Sequence, residues 1–507
     1  METNSRNLNQ PLDELTKDIK TVAINCLQWG DTGKGKIIDF FSDWADIVAR
    51  GTGGDNAGHT VWYGNNKYVS HLIPCGHPDK INVMGSGMVI NPKSLFEEIK
   101  SARENGINHR NLMLSLNAIL ILPFHIAQDN LSEISAGKDK IGTTGRGIAW
   151  AYADQVNRSG LFVNDLLNKD ILFNKIKKNY DSKKFFFNSY DPQLIKAILE
   201  SARLESGFYW NYENLFDLDA IVDKYYSYGQ ELKDLICDSD EFIRQNVGCK
   251  KIAIEGAQGL GLSNRYGTYP YVTSSDCSPY GSAEGVGLSY DCIGLSLGII
   301  KAYATRVGHG PFPSESGGEF SENWCNDSAN NRETELLFLK EIEQGSKKNV
   351  FDDDFIFGMK LRIAGDEYGA TTGRPRRIGW LDLPFLKHAM KFGVKDLVIT
   401  KLDVLNDCDI IKVCDSYRYC GPAYNYGKRT IVDGDIFDDA VMDYNIIKNC
   451  KPIYTDFLGW KTDINDCKRF SDLPRNLISF LRFISNETGG RIRILSTGFR
   501  KENIIVV

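Results

Sequence analysis

Apolar and polar positions along this chain fall into short β-rich runs alternating with amphipathic helices. Val22, Ala23, Ile24 and Leu27 form an apolar run that stops at a glycine-studded turn, and IIDFFSDWADIV follows with apolar residues at helical spacing. Residues 21–36 therefore read as strand, phosphate loop, helix. INVMGSGMVINPKSLFEEIKSARENGI predicts a short strand, a turn and an amphipathic helix, and LMLSLNAILILPFH predicts two more strands. KIAIEG and LVITKLD read as strands, and IGLSLGIIKAYATRVGHGPFPSE is apolar and then turns. From DIIKVCDSYRYCG onward the pattern predicts a β meander, one helix (LPRNLISFLRFISNETG) and a last strand, IRILSTG. The fold class this rhythm predicts is α/β, with a large, mostly parallel central sheet and flanking helices.

Two stretches break the rhythm. Residues from 165 to about 250 read as amphipathic helices with charged outer faces, a helical insertion. Residues from 317 to about 360 are acidic and polar with one short helical patch, an insertion or elaborated surface. The first nineteen residues are polar and mixed in charge and read as a flexible arm, leaving 20–507 as a single domain.

Composition narrows the partners. At 507 residues and 42% hydrophobic, the chain can bury a large core. Its 60 basic and 66 acidic residues, net charge -6, argue against a nucleic-acid partner and leave room for small anions. No run of about eighteen apolar residues occurs, so no membrane span and a cytoplasmic protein are expected. The twelve cysteines lack a CxxC pair and read as reduced thiols.

Gly30, Gly35 and Lys36 satisfy the glycine, four residues, glycine, lysine pattern, in which backbone N–H groups and a helix N-terminus hold polyphosphate. Ile37 stands where a P-loop nucleotidase has its Mg²⁺-binding Ser or Thr, so a metal needs another oxygen, and Asp31 is the nearest candidate. An acid inside a phosphate loop repels the anion unless a cation or a proton transfer involves it. A turn aspartate capping the helix is the plain alternative.

GTGGDNAGHT places Asp55, Asn56 and His59 on a loop, and IGTTGRG with Arg146, followed by Arg158, suits phosphate or carboxylate binding. Gln258 follows the end of a strand, and Thr273 sits in a hydroxyl-rich loop. Arg374, Arg376 and Arg377, with Gly373 and Pro375 fixing the backbone, predict an anion site. Asp403, at the end of LVITKLD, can accept from guanine N1–H and N2–H₂, a donor pair that adenine lacks.

With these loops assembled, the chain resembles the adenylosuccinate synthetase family over nearly its full length, on QWGDTGKGK, NAGHT, IGTTGRG, EGAQG, GTYPYVTSS, IKAYATRVGHGPFP, GATTGRPRRIGWLD, TKLDVL and STG. The resemblance implies a GTP-dependent ligase that joins IMP to L-aspartate through a 6-phosphoryl intermediate, with Mg²⁺, as a cytoplasmic homodimer of purine biosynthesis. It implies Asp31, His59, Lys34 and Gln258 as catalytic residues. Asn56, Thr144, Arg158, Gln258, Thr273 and Arg374 match IMP contacts, Arg158 being lent by the other subunit, and Thr371, Thr372 and Arg374 match the aspartate-binding loop. Gly30, Gly33, Lys34, Gly35, Lys36, Arg376, Lys401, Asp403, Ser496 and Gly498 match the GTP site, with Asp31 and the Gly58 carbonyl on the metal.

Three departures from the family pattern stand out. Thr32 replaces a glutamate and Asp55 a usual histidine, both expected beside the metal and phosphates, and residues 320–358 exceed the compact pattern. A GTP-binding regulatory paralogue needs none of Asp31, His59 and Gln258. A ligase for a 2-amino purine nucleotide is expected to lose the loop aspartate that this chain keeps.

Overall fold

The computed structural model describes residues 9–63, 66–137, 140–201, 216–344, 353–369 and 373–507. A ten-stranded sheet runs, in spatial order, Ile504–Val506, Arg491–Ser496, Asp396–Thr400, Leu295–Lys301, Thr21–Cys26, Ile252–Glu255, Ile47–Arg50, Ile81–Met84, Asn111–Ser115, Ile236–Cys237. Every pairing in it is parallel except that of the edge strand Ile504–Val506. Thr21–Cys26 lies near the middle and is buried at every position, which is why its sequence is a nearly continuous apolar run and not an alternation.

Parallel strands end on the same side, and this decides where chemistry collects. The loops after Cys26, Arg50, Glu255, Thr400 and Ser496 all leave the carboxyl edge of the sheet, where α/β folds bind ligands. One close approach holds the loop after Arg50 in place: a Cβ on Gly285, which ends the helix Pro279–Glu284, would lie 1.8 Å from the Gly51 carbonyl oxygen, so backbone meets backbone there and no side chain fits.

A second sheet of five strands, with Tyr303–Arg306, Arg377–Asp382 and Ile410–Tyr419 in sequence across it, packs on the first. One apolar cluster runs from Leu27 and Trp29 through Trp380 to Leu477 and Leu495 and so joins the two sheets.

The helices expected at 165–250 are present as Lys169–Phe187, Pro192–Ser201, Leu218–Leu232 and Ser239–Asn246. Three expectations are corrected. The arm was expected to be frayed throughout, but Asn9–Leu15 is a helix that buries Leu12, a single apolar anchor too sparse to register as a period. IRILSTG is not the last strand, because Ile504–Val506 folds back antiparallel to cover the sheet edge. The stretch at 317–360 holds more than one helical patch: Gly318–Asn326, Arg332–Glu343 and Asp353–Gly365 pack around Phe338, Phe355, Ile356 and Met359. No helix among the described residues is long and apolar enough to cross a membrane.

Candidate active site

The phosphate loop is built as its glycines require. Gly33, with φ +79°, turns the chain into the helix Lys34–Ser42, and a Cβ on Gly35 would meet the Thr60 carbonyl oxygen at 2.6 Å. Asp31 itself is held at φ +53° and Gln258 at +46°; Arg158 and Lys401 share this left-handed backbone at +61°. Such conformations are costly for residues with side chains and concentrate where function fixes them.

A cleft of about 230 Å³ brings together Asp31, Lys34, Asn56, Gly58, His59, Thr144, Gln258 and Thr273, all expected from the sequence. A larger groove of about 930 Å³ lies between the N-terminal helix and the sheet edge and contains none of them, so size does not identify the site. Inside the cleft the Lys34 ammonium donates to the Gln258 main-chain oxygen, and Gln258 Nε2 donates to Asn56 Oδ1 at 3.2 Å. Gln258 Oε1 is buried without a protein partner, so the amide keeps one polar atom for something else.

His59 Nδ1 is bound to the buried carboxylate of Glu255, whose other oxygen accepts from the Cys75 amide at 2.7 Å. Burial lowers the His59 pKa, against the pull of Glu255. A carboxylate only accepts, so Nδ1 carries the proton and the tautomer is fixed. Cys75 lies close to both groups, but burial and the neighbouring Glu255 carboxylate hold its thiol protonated, which makes the trio a hydrogen-bonded support and a poor metal site.

Beside the cleft, Asp31 Oδ2 is 2.9 Å from Arg376 Nε, and Arg376 Nη1 donates to Glu367 at 2.7 Å. Arg377 was expected to join an anion site, and here the structure differs. It is turned inward, forked onto Glu315 and donating to the carbonyls of Gly308 and Gly310. Arg374 does not line the cleft, and Thr371 and Thr372 lie outside the described residues.

A second group collects next to the loop. Lys36 Nζ donates to Ser496 Oγ and the Gly498 carbonyl, both at 2.8 Å, and to the Asn503 carbonyl at 3.1 Å. Burial pulls the Lys36 pKa down to about 7, with Asp403 acting against it. Lys401 Nζ donates to the Gly365 carbonyl, and Asp403 Oδ1 is buried with no protein donor. Burial raises the Asp403 pKa, as expected of a carboxylate kept from water. Arg158 is exposed and does not line the cleft.

Thr32 and Asp55 were expected to face metal and phosphates; both are buried, the Thr32 hydroxyl and Asp55 Oδ1 have no protein partner, and what is engaged is the Thr32 main chain and Asp55 Oδ2. The Thr32 carbonyl accepts from the Thr400 hydroxyl at 2.8 Å. Asp55 Oδ2 accepts from Ser94 Oγ at 2.7 Å and pairs with Arg146 at 3.2 Å, tying the GTGGDNAGHT loop to the IGTTGRG loop. Sequence reasoning missed the supports: Asp129 receives Thr143 Oγ1 and the Gly147 amide, and Glu133 receives the amides of Ile141 and Gly142. Nothing in a helix sequence marks an acid that points at a distant loop.

The family model for adenylosuccinate synthetase matches residues 23–505. The chain belongs to the adenylosuccinate synthetase family. It is 38% identical over 493 residues to the adenylosuccinate synthetase of Thermodesulfovibrio yellowstonii, covering 96% of this chain and 99% of the relative. It is 35% identical over 494 residues to that of an Exiguobacterium species, with the same coverage. The solved structure of fully ligated adenylosuccinate synthetase from Plasmodium falciparum superposes with a TM-score of 0.74 at 32% identity, covering 96% of this chain and 100% of that one. A cyanophage S-2L succinoaminodeoxyadenylate synthetase shares the fold alone, at 16% identity and a TM-score of 0.52. The protein is thus a GTP-dependent ligase that makes adenylosuccinate from IMP and L-aspartate, and it belongs to a class that works with a divalent metal.

The Glu255 carboxylate is the feature of this site that can be tested without touching the cleft surface. Glu255→Gln loses the ion that fixes His59, and kcat is expected to fall by about 10² with the KM values changed less than about threefold, a loss confined to transition-state stabilisation. Steady-state kinetics check it, and an unchanged kcat would leave Glu255 a purely structural residue.

Proposed function

We propose that the cleft holds the 6-oxo purine of IMP between Asp31, His59, Gln258 and Asn56, and that Lys36, Lys401, Asp403, Ser496 and Gly498 receive GTP beside it. The observation that carries this reading is convergence. An acid, an oriented imidazole, an ammonium and an amide with an unused oxygen share one small cleft at the C-terminal ends of parallel strands.

The chemistry follows from what a lactam needs. Its oxygen is a poor leaving group, and removing the N1 proton gives it oxyanion character. Asp31 is positioned for that proton, and the Gln258 amide steadies the oxyanion. Lys34 and His59 Nε2 meet the migrating phosphoryl charge, with Nδ1 locked on Glu255. The 6-phosphate then leaves as the aspartate amine attacks. Arg374, with Thr371 and Thr372, is assigned to aspartate, and Arg376 to the nucleotide. A guanidinium matches carboxylate or phosphate geometry.

The Asp31 carboxylate and the Gly58 carbonyl, both on the cleft, are oxygen donors that fit Mg²⁺. Bound there, the cation would screen phosphate charge. Asp403 Oδ1, an orphaned buried acceptor, supports guanine as the base. An exposed Arg158 outside the cleft supports a homodimer in which it completes the partner's IMP site, with Thr144 and Thr273 on the same ligand. Twelve unpaired cysteines suit a cytoplasmic setting.

Mixing protein, IMP, aspartate, GTP and Mg²⁺ should give an absorbance change that vanishes when any small component is left out. In that assay Asp31→Asn is expected to lose about 10² to 10⁴ in rate while GTP affinity stays within about tenfold. Near-wild-type activity would remove Asp31 from the mechanism. Asp403→Asn reverses the donor pattern at the base, so preference should move from GTP toward xanthosine triphosphate. Wild-type protein that uses ATP as well as GTP would refute the role given to Asp403.

Assembly has its own test. When inactive Asp31→Asn and inactive Arg158→Leu are mixed with subunit exchange, roughly half the dimers become hybrids, each regaining one intact site, so about a quarter of all sites recover. Hybrids confirmed by mass spectrometry yet inactive would show that Arg158 serves its own chain or none.

A further inference from the structure

The segment at 317–360 has no part in the reaction described above, yet two of its acids, fully buried Glu335 and half-buried Glu322, reach toward the site. Glu335, on the helix Arg332–Glu343, is fully buried. It accepts from Trp324 Nε1 at 2.9 Å, Arg362 Nε at 2.9 Å and the Tyr368 hydroxyl at 2.6 Å. Tyr368 bridges to Pro375, and next to it the Gly369 amide donates to the Arg374 carbonyl and the Gly373 amide to the Gly369 carbonyl, both at 2.8 Å, so Tyr368 is tied to the residues on either side of Arg374.

Glu322, on the helix Gly318–Asn326, makes the second contact. It accepts from the Gly310 amide at 3.2 Å and lies 3.3 Å from both His309 Nδ1 and Arg377 Nη1. His309 lines the cleft. The three helices have an apolar nucleus of their own, so the two carboxylates are presented from a packed unit and not from a loose loop.

We propose that this segment is a brace for the aspartate side of the active site. Glu335 positions Tyr368 and, through the Tyr368–Pro375 bridge and the Gly369–Arg374 hydrogen bond, the backbone of Arg374, and Glu322 positions His309. Both are positioning residues. An arginine whose backbone is anchored has fewer conformations to lose when its ligand arrives, so the brace acts on substrate affinity and not on the chemical step. The inference rests on the assignment of Arg374 to aspartate.

Tyr368→Phe in the full chain removes one hydroxyl, leaves no cavity and keeps Glu335 paired with Arg362 and Trp324. KM for aspartate is expected to rise about fivefold, within the roughly tenfold set by one hydrogen bond to a carboxylate. Values of kcat and KM for IMP and GTP should stay within about twofold. Arg374→Leu is the reference: if it raises KM for aspartate and Tyr368→Phe does not, the brace is wrong and the assignment stands. If Arg374→Leu leaves that KM unchanged, the assignment falls and the brace with it. A Tyr368→Phe protein that shifts all three KM values equally, or only its melting temperature, would reduce the segment to a structural elaboration and overturn the proposal.

Discussion

Glu367 is the carboxylate on which the two halves of the site depend. Fully buried, it accepts from Lys301 Nζ at 2.8 Å, Tyr303 Oη at 2.6 Å and Arg376 Nη1 at 2.7 Å. Burial alone would raise its pKa, but the Lys301 ammonium and the Arg376 guanidinium hold it well below the usual carboxylate range. Lys301 ends a central strand, Tyr303 begins the second sheet, and Arg376 reaches Asp31 in the phosphate loop. One anion thereby fixes the nucleotide loop, the substrate loops and the junction of the sheets. Removing it would leave the fully buried Lys301 ammonium without its carboxylate, a loss that typically costs about 3–5 kcal/mol, while Arg376 would keep Asp31.

The loops that carry chemistry were legible because their constraints are local. Gly33 takes a left-handed φ of +79° that favours glycine, and residues 21–26 had to be a buried strand because they are apolar without alternation. Parallel strand order then puts the loops after residues 26, 50, 255, 400 and 496 on one edge, so Asp31, Asn56, His59 and Gln258 meet although they are spread over more than two hundred positions. The resemblance suggested roles that spacing could not, such as the one proposed for Arg158.

What the sequence hid was everything decided by a distant partner. Arg377 looks like its neighbours Arg374 and Arg376, and only the position of Glu315 turns it inward. Asp55 looks like a phosphate-facing acid until Arg146 and Ser94 claim it. The helices at 317–360 were obscured because their apolar residues, Phe338, Phe355, Ile356 and Met359 with Trp324, Leu339, Ile342 and Ile363 against them, are set among a majority of polar and acidic positions. Edge strand Ile504–Val506 is three residues long, below what pattern can distinguish from a tail.

At the centre of this account is the transfer of a phosphoryl group to the purine 6-oxygen before the aspartate amine attacks. The fate of that oxygen decides it. With IMP labelled with ¹⁸O at position 6, turnover with GTP and aspartate should place the label in inorganic phosphate, one ¹⁸O per adenylosuccinate formed, as mass spectrometry of the phosphate would read. Label released into water, with unlabelled phosphate accumulating at the same rate, would contradict the intermediate and the roles given to Asp31, Gln258 and His59 around it.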